Sequence, residues 1–255
     1  MSQASAVSPA PTSGVRSIGF AAPLGWLARG WQDLWRQPAA SLFYGVAIAV
    51  AGAVILGVTA RLPYLFAAAI TGFLLVAPML AAGLYELSRR YLAGEQATLV
   101  DSMWAWRRNP SALVGFALLS ILAGTAWQVA SVVIVALFYK GPALAPMAMM
   151  IEVLVNPQHY LLFFVYMCVG GLLAALVFAV SVVSMPMLVD RRCDLLTALV
   201  TSVNAVAENP LPLALWATIL MLLTGLGFAT LLLGMIVILP WLGHASFHAY
   251  KDLVR

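Results

Sequence analysis

Between Arg108 and Lys140 this chain carries no acidic or basic side chain, and the stretches Arg36 to Arg61, Arg61 to Glu86, Glu152 to Asp190 and Glu208 to Lys251 are interrupted by nothing more polar than histidine or an amide. Each run is long enough to carry an α-helix of about 20 residues across a ~30 Å hydrocarbon layer. The runs are continuously apolar rather than alternating, which favours helices over a closed barrel, since a helix satisfies its own backbone in lipid. Hydrophobic residues make up 64% of the chain and charged ones 9%, against roughly 45–50% and about 25% in soluble domains. The surrounding solvent is therefore lipid.

The fold class this implies is an all-α membrane protein with six transmembrane helices, at about 39–60, 64–87, 111–138, 159–188, 211–226 and 228–250. The last two share one apolar run, which TGLG (Thr224 to Gly227) divides as a tight hairpin, glycine supplying the left-handed conformations of a short reversal. Residues 1–20, rich in Ser, Ala and Pro, read as a disordered tail preceding a membrane domain over 21–255. They lack the apolar core of a cleavable signal peptide. All Lys and Arg except Arg61 and Lys140 fall on one side of this arrangement, which places both termini in the cytoplasm. The net charge of +4 then reports topology and contact with anionic lipid, not nucleic acid.

Three segments align without gaps on a proline: WLARGWQDLWRQPAASLFYG, TLVDSMWAWRRNPSALVGF and LLTALVTSVNAVAENPLPLALW. Their anchors are Pro38, Pro110 and Pro210, each preceded by an amide (Gln37, Asn109, Asn209) and followed by an aromatic (Tyr44, Phe116, Trp216). Upstream, apolar positions recur with helical period: Leu27, Trp31 and Leu34; Leu99, Met103 and Trp106; Leu199, Val203 and Val206. The opposite faces carry Arg29, Asp33 and Arg36, then Asp101 and Arg108, then Thr197, Thr201, Asn204 and Glu208. Such helices should lie flat in the cytoplasmic interface, with Trp26, Trp31, Trp35, Trp104 and Trp106 as belt anchors. A second signature, APML, MPML and LPWL at Pro78, Pro186 and Pro240, marks a kinked span in each unit. The repeats run about 23–90, 96–192 and 194–252, and the middle one carries a longer external loop, 139–158, with its own AMMIEVLV segment.

The stretch from SMPMLVDRRCDLLTALVTSVNAVAENPLPLALW through GFATLLLGMIVILPWLGHASFHAYKDL resembles a proteobacterial family of predicted integral membrane proteins, domain of unknown function 2189. The resemblance spans about residues 20–255 and implies a bacterial inner membrane and six spans. It brings no catalytic residue.

His244 and His248 stand one turn apart on the last span, a spacing able to present two imidazoles to one metal. His159 belongs to the opposite membrane face, so these two make an incomplete metal or haem site, and the default is interfacial histidines bonded to neighbours. Eight residues beyond the kink prolines lie Glu86, Asp194 and His248, and four beyond lie Ala82, Asp190 and His244. If the units pack about a pseudo-threefold axis, Glu86, Asp190, Asp194, His244 and His248 meet as a proton- or cation-binding cluster; the plainer reading is that they are the wet ends of helices. Gly45, Gly52, Gly57, Gly115, Gly124, Gly170 and Gly171 suit close helix packing. Cys168 and Cys193 read as unpaired thiols. No nucleophile elbow and no phosphate-cradling glycine motif is present in the sequence, so no catalytic residue and no cofactor is assigned.

The function expected from these features is non-enzymatic: an accessory, assembly or lipid-organising inner-membrane component, motivated by the lack of buried ionisable groups along the spans. Its partners are the lipid bilayer and a larger membrane complex or a homo-oligomer. The alternatives are a permease for a small or lipid-like solute, and a metal- or haem-binding protein using His244 and His248.

Overall fold

The computed structural model describes residues 14–61, 80–141 and 146–255, and among these the chain is helical with one isolated bridge, Val15 to Val254. In chain order the helices are α1 (Ala22–Arg36), α2 (Pro38–Arg61), α3 (80–92), α4 (Leu99–Met103) with a 3-10 turn at Ala105–Arg108, and α5 (Pro110–Phe138). They continue as α6 (Pro146–Val155), α7 (Tyr160–Ser181), α8 (Ser184–Asp190), α9 (Leu195–Glu208), α10 (Pro210–Ala229) and α11 (Met235–Leu253). Four described stretches are long and apolar enough to cross a membrane: Pro38–Val58, Pro110–Phe138, Pro157–Asp190 and Pro210–Ala229. Most of the expected span 64–87, with Pro78, lies outside the described residues. The expected sixth span, α11, is 19 residues long but carries His244, His248, Lys251 and Asp252 in its second half and falls short of that apolarity.

Pro38, Pro110 and Pro210 each open a helix, where a missing N–H costs nothing. The amide before each proline bonds a distant segment. Asn209 Nδ2 donates to the Arg16 and Ala205 carbonyls at 2.9 and 3.1 Å, and its Oδ1 accepts from Ile18 N at 2.8 Å. Asn109 Nδ2 donates to the Cys193 carbonyl at 2.7 Å, and Gln37 Oε1 accepts from the Tyr91 hydroxyl at 3.4 Å. Residues 14–18, expected within a disordered tail, are consequently ordered: Asn209 holds them, and Arg16 N donates to the Leu253 carbonyl at 2.8 Å.

The helices before the three prolines bury small and polar residues and expose part of their bulky apolar ones. The buried face of α1 mixes Gly30 and Asp33 with Pro23, Trp26 and Leu34, while the buried faces of the other two are small or polar: Ser102 and Ala105 in the second segment, Ala198, Thr201, Ser202 and Ala205 on α9. Several bulky apolar side chains point outward, with Trp31 41%, Met103 52% and Val203 43% exposed. In lipid, exposing a large apolar group carries no hydrophobic cost, and close helix packing selects small residues. Asp33, expected on the wet face of α1, is thus inside. Trp26, expected as a belt anchor, is fully buried and packs edge-to-face on Trp216, 5.5 Å between ring centroids.

The α7–α8 break sits at Val182 and Val183, just before Pro186. Here Ser202 of α9 inserts into the helical ladder: its hydroxyl donates to the Ala179 carbonyl at 2.7 Å and accepts from Val183 N at 3.1 Å, the two groups an unbroken helix would join directly. Ser202→Ala strands both buried backbone groups and is expected to destabilise by about 1–3 kcal/mol. Chemical unfolding in mild detergent reads this, and an unchanged midpoint would refute the bridging role.

The α10–α11 reversal does not lie at TGLG. Gly225 and Gly227 are inside α10, and the chain turns over 230–234, where Leu231 and Leu232 take positive φ of 52° and 70°. Thr230 organises the turn, its hydroxyl donating to the Gly227 carbonyl and accepting from Gly234 N, both at 2.9 Å. Leu232 is held in this unfavourable conformation by burial against Ala49 and Met235. Gly227 serves close approach instead, since a Cβ there would fall 2.4 Å from Met235 Sδ. Two other glycines bring helices onto α11: a Cβ at Gly30 would lie 2.6 Å from Ala245 N, and one at Gly45 would lie 2.0 Å from the Ile236 carbonyl oxygen. At Gly57 and Gly171 a Cβ would meet open space.

Candidate functional site

α11 packs against α1, α2, α8 and α10, and most of its polar half is buried. Because His244 and His248 are one turn apart they project from one face, into the gap that Gly30 and Gly45 leave between α1, α2 and α11. Both imidazoles are buried, as are Asp33 of α1, Ser41 of α2 and Ser88 of α3. His248 Nε2 lies 2.8 Å from Asp33 Oδ2, and the Ser88 hydroxyl donates to the same oxygen at 2.8 Å. Ser88 Oγ is also 2.8 Å from His244 Nδ1, and Ser41 Oγ is 3.0 Å from His244 Nε2.

The proton directions follow from the inventory of donors. Ser88 spends its only hydrogen on Asp33, so it accepts from Nδ1–H of His244. With Nδ1 protonated, Nε2 of a neutral His244 accepts from Ser41. His248 Nε2–H donates to Asp33, and Arg36 Nη1 stands 3.4 Å from the other carboxylate oxygen. Every proton of the chain Ser41, His244, Ser88 therefore points toward Asp33. Burial alone would raise the Asp33 carboxyl, but the hydrogen bonds from His248 and Ser88 outweigh it and hold the group below its ordinary value of 3.8. It is an anion with its lone pairs filled.

Further contacts bolt α1 along α11. Trp26 Nε1 donates to Asp252 Oδ2 at 2.8 Å, Arg29 pairs with the same carboxylate, and Trp241 Nε1 donates to the Leu27 carbonyl at 2.8 Å.

The polar residues that a pseudo-threefold packing would gather have different immediate partners, although the Arg89 that pairs with Glu86 also feels the charge of Asp190. Glu86 is buried and paired with Arg89 at 2.7 Å and Arg90 at 2.9 Å, with Arg108 at 3.8 Å. Asp190 accepts from the Tyr250 hydroxyl at 2.7 Å and Lys251 at 3.1 Å. Asp194 caps α9, accepting from Thr197 N at 2.9 Å; the Thr197 hydroxyl and backbone lower its carboxyl below the usual range. His244 and His248 join neither Asp190 nor Asp194 but Asp33, Ser41 and Ser88. Buried ionisable groups therefore do occur at the end of the bundle, contrary to expectation. The signal for Asp33 was in the repeat: five places before each proline stand Asp33, Ala105 and Ala205, and a position that is alanine twice marks an inward face.

Chemically, this arrangement fixes four helices and can hold a proton. Ser41 and Ser88 have a base beside them but are fully buried, so no substrate reaches either hydroxyl in this conformation. Both nitrogens of His244 are engaged by serines. Among the described residues no group of three or more His, Cys, Asp and Glu side chains is arranged to hold a metal ion. Cys168 and Cys193 are free thiols.

Among known families, a model described as a predicted integral membrane protein, DUF2189, matches residues 65–190. No curated protein and no solved structure matches the chain.

Proposed function

We propose that this chain, which matches that model of predicted integral membrane proteins over residues 65–190, is a non-enzymatic lipid-organising component of a bacterial inner membrane. It crosses the membrane six times as three repeats of interfacial helix plus helical hairpin, both termini cytoplasmic, and its interfacial helices grip the inner leaflet. The observation that carries this is the outward display of bulky apolar side chains on all three: Trp31 and Trp35, Met103 and Trp104, Val200 and Val203. The repeat reading is supported by burial at matched positions, since Gly30, Ser102 and Ser202, each eight residues before its proline, are all inside, as are Tyr44, Phe116 and Trp216 after it. Pairing of Val15 with Val254 supports termini on one side. The Asp33–His248 pair and its serines then serve to lock the first interfacial helix to α11.

Reconstituted vesicles test the reading. Lipids brominated near the headgroup are expected to quench Trp31, Trp35 and Trp104 and to leave Trp26 and Trp216 bright, so that Trp→Phe at the first three positions removes most of the quenching. Quenching of those three by aqueous iodide, with no effect of brominated lipid, would discard it.

One observation favours the permease alternative: a cavity of about 560 Å³ between α2, α3, α10 and α11, with walls including Ile48, Leu84, Leu220, Met235 and Leu242. That volume lies in the range of small-ligand sites. Transport of a lipid-like solute into vesicles dependent on those walls would support it over the first reading.

A further inference from the structure

The second interfacial segment is built differently from the other two. α4 stops after five residues, Trp104 N–H donating to the carbonyls of Asp101 and Ser102, and the chain tightens into a 3-10 turn over Ala105–Arg108. That tightening separates two adjacent arginines. Arg108 turns inward, its Nε donating to the Val189 carbonyl at 3.0 Å and its Nη1 3.8 Å from Glu86. Arg107 turns outward and sits over the Trp104 ring, its guanidinium carbon 3.7 Å from the ring centroid, with the Trp106 ring at 5.6 Å.

Most neighbouring cations are already neutralised: Arg29 by Asp252, Arg36 by Asp33, Arg89 by Glu86 and Glu95, Arg90 by Glu86 and Asp101. Arg107 has no carboxylate partner among the described residues. The acid nearest in sequence, Asp101, is occupied by the Thr98 hydroxyl at 2.7 Å and by Arg90 at 3.3 Å. A guanidinium stacked by its face keeps its in-plane N–H donors directed outward, the geometry that grips a phosphate with two parallel hydrogen bonds. Around it, Val100, Met103 and Trp104 are exposed on the same short segment and suit acyl-chain and glycerol depth.

From this charge complementarity we infer that Arg107 on Trp104 is a docking site for the phosphodiester headgroup of an anionic phospholipid of the cytoplasmic leaflet. The inference rests on the lipid-facing placement of the interfacial helices proposed above, and names the headgroup chemistry that one of them selects.

The full chain in detergent micelles is titrated with short-chain phosphatidylglycerol and, separately, short-chain phosphatidylcholine, reading bound lipid by native mass spectrometry. R107Q is expected to weaken phosphatidylglycerol binding about fivefold, the worth of one interfacial arginine, and to leave phosphatidylcholine binding unchanged. R107K, which keeps charge without the planar fork, and W104L, which removes the ring beneath it, should fall between. Equal thermal unfolding of R107Q and the parent without added lipid shows the fold intact. Phosphatidylglycerol binding unaltered in R107Q overturns the site, and so does full competition by inorganic phosphate, which marks a general anion site. If brominated-lipid quenching of Trp31, Trp35 and Trp104 persists while R107Q has no effect, the headgroup site fails alone; if the quenching is absent, the leaflet placement fails.

Discussion

Asp33→Ala is expected to destabilise the protein by about 2–6 kcal/mol, because it leaves two buried donors, on His248 and Ser88, without their acceptor, at about 1–3 kcal/mol each. Asp33 and His248 are each nearly inaccessible to solvent, so neither finds water as a substitute partner. The substitution also takes away the acceptor of the Ser88 hydroxyl, and with it the reason for the His244 proton to sit on Nδ1. Arg36→Ala is the contrast. That side chain is 53% exposed and 3.4 Å away, and its loss should cost under about 1 kcal/mol. Replacing both Asp33 and His248 with leucine should recover much of the single-mutant loss, because no buried imidazole is left without its acceptor. Denaturant titration of the purified protein in micelles measures all three, and a wild-type midpoint for Asp33→Ala would mean that the network does not hold α1.

The same carboxylate sets a pH dependence. Its folded value is depressed, so its contribution is complete above the ordinary 3.8 and is lost as pH falls through the lower folded value. The stability gap between the parent and Asp33→Ala should therefore narrow as pH falls below about 4, which repeated titrations at several pH values would show.

What the sequence made legible was whatever one helix specifies by itself. The apolar runs located α2, α5 and α10 to within a few residues, and the three prolines fell at helix starts because backbone chemistry permits little else there. What it hid was which side of an interfacial helix faces inward. Amphipathic periodicity assumes that bulky apolar groups seek the interior, and in lipid that drive is lost, so Trp31 went out and Asp33 went in although Leu34 of the same apolar stripe is buried. The pairing of Asp33 with His248 joins residues at opposite ends of the chain, and no local pattern records such a partner. Spacing correctly put His244 and His248 on one face, yet it could not say that serines from α2 and α3 would meet them. TGLG misled for a related reason: glycine marks close approach as readily as it marks a turn, and Gly227 accommodates Met235 while two leucines make the reversal.

That double meaning of glycine makes Gly45→Ala the most informative conservative change on α2. In an ordinary helix interior, replacing glycine with alanine gains up to about 1 kcal/mol from reduced backbone freedom in the unfolded chain. At Gly45 the new methyl would stand 2.0 Å from the Ile236 carbonyl oxygen, and the obstructing atom is backbone, which no rotamer change moves aside. α2 must then retreat from α11 by more than an ångström. That shift exceeds the tolerance of the 3.0 Å contact between Ser41, one turn earlier on α2, and His244, so the overpacking cost of about 1–3 kcal/mol is joined by a lost buried hydrogen bond of about 1 kcal/mol. The net expectation is destabilisation of about 2–4 kcal/mol. Gly57→Ala and Gly225→Ala, where an added Cβ meets open space, should be neutral or slightly stabilising. Thermal unfolding in detergent distinguishes the three, and a Gly45→Ala protein as stable as Gly57→Ala would mean that α2 and α11 do not touch where their backbones are placed.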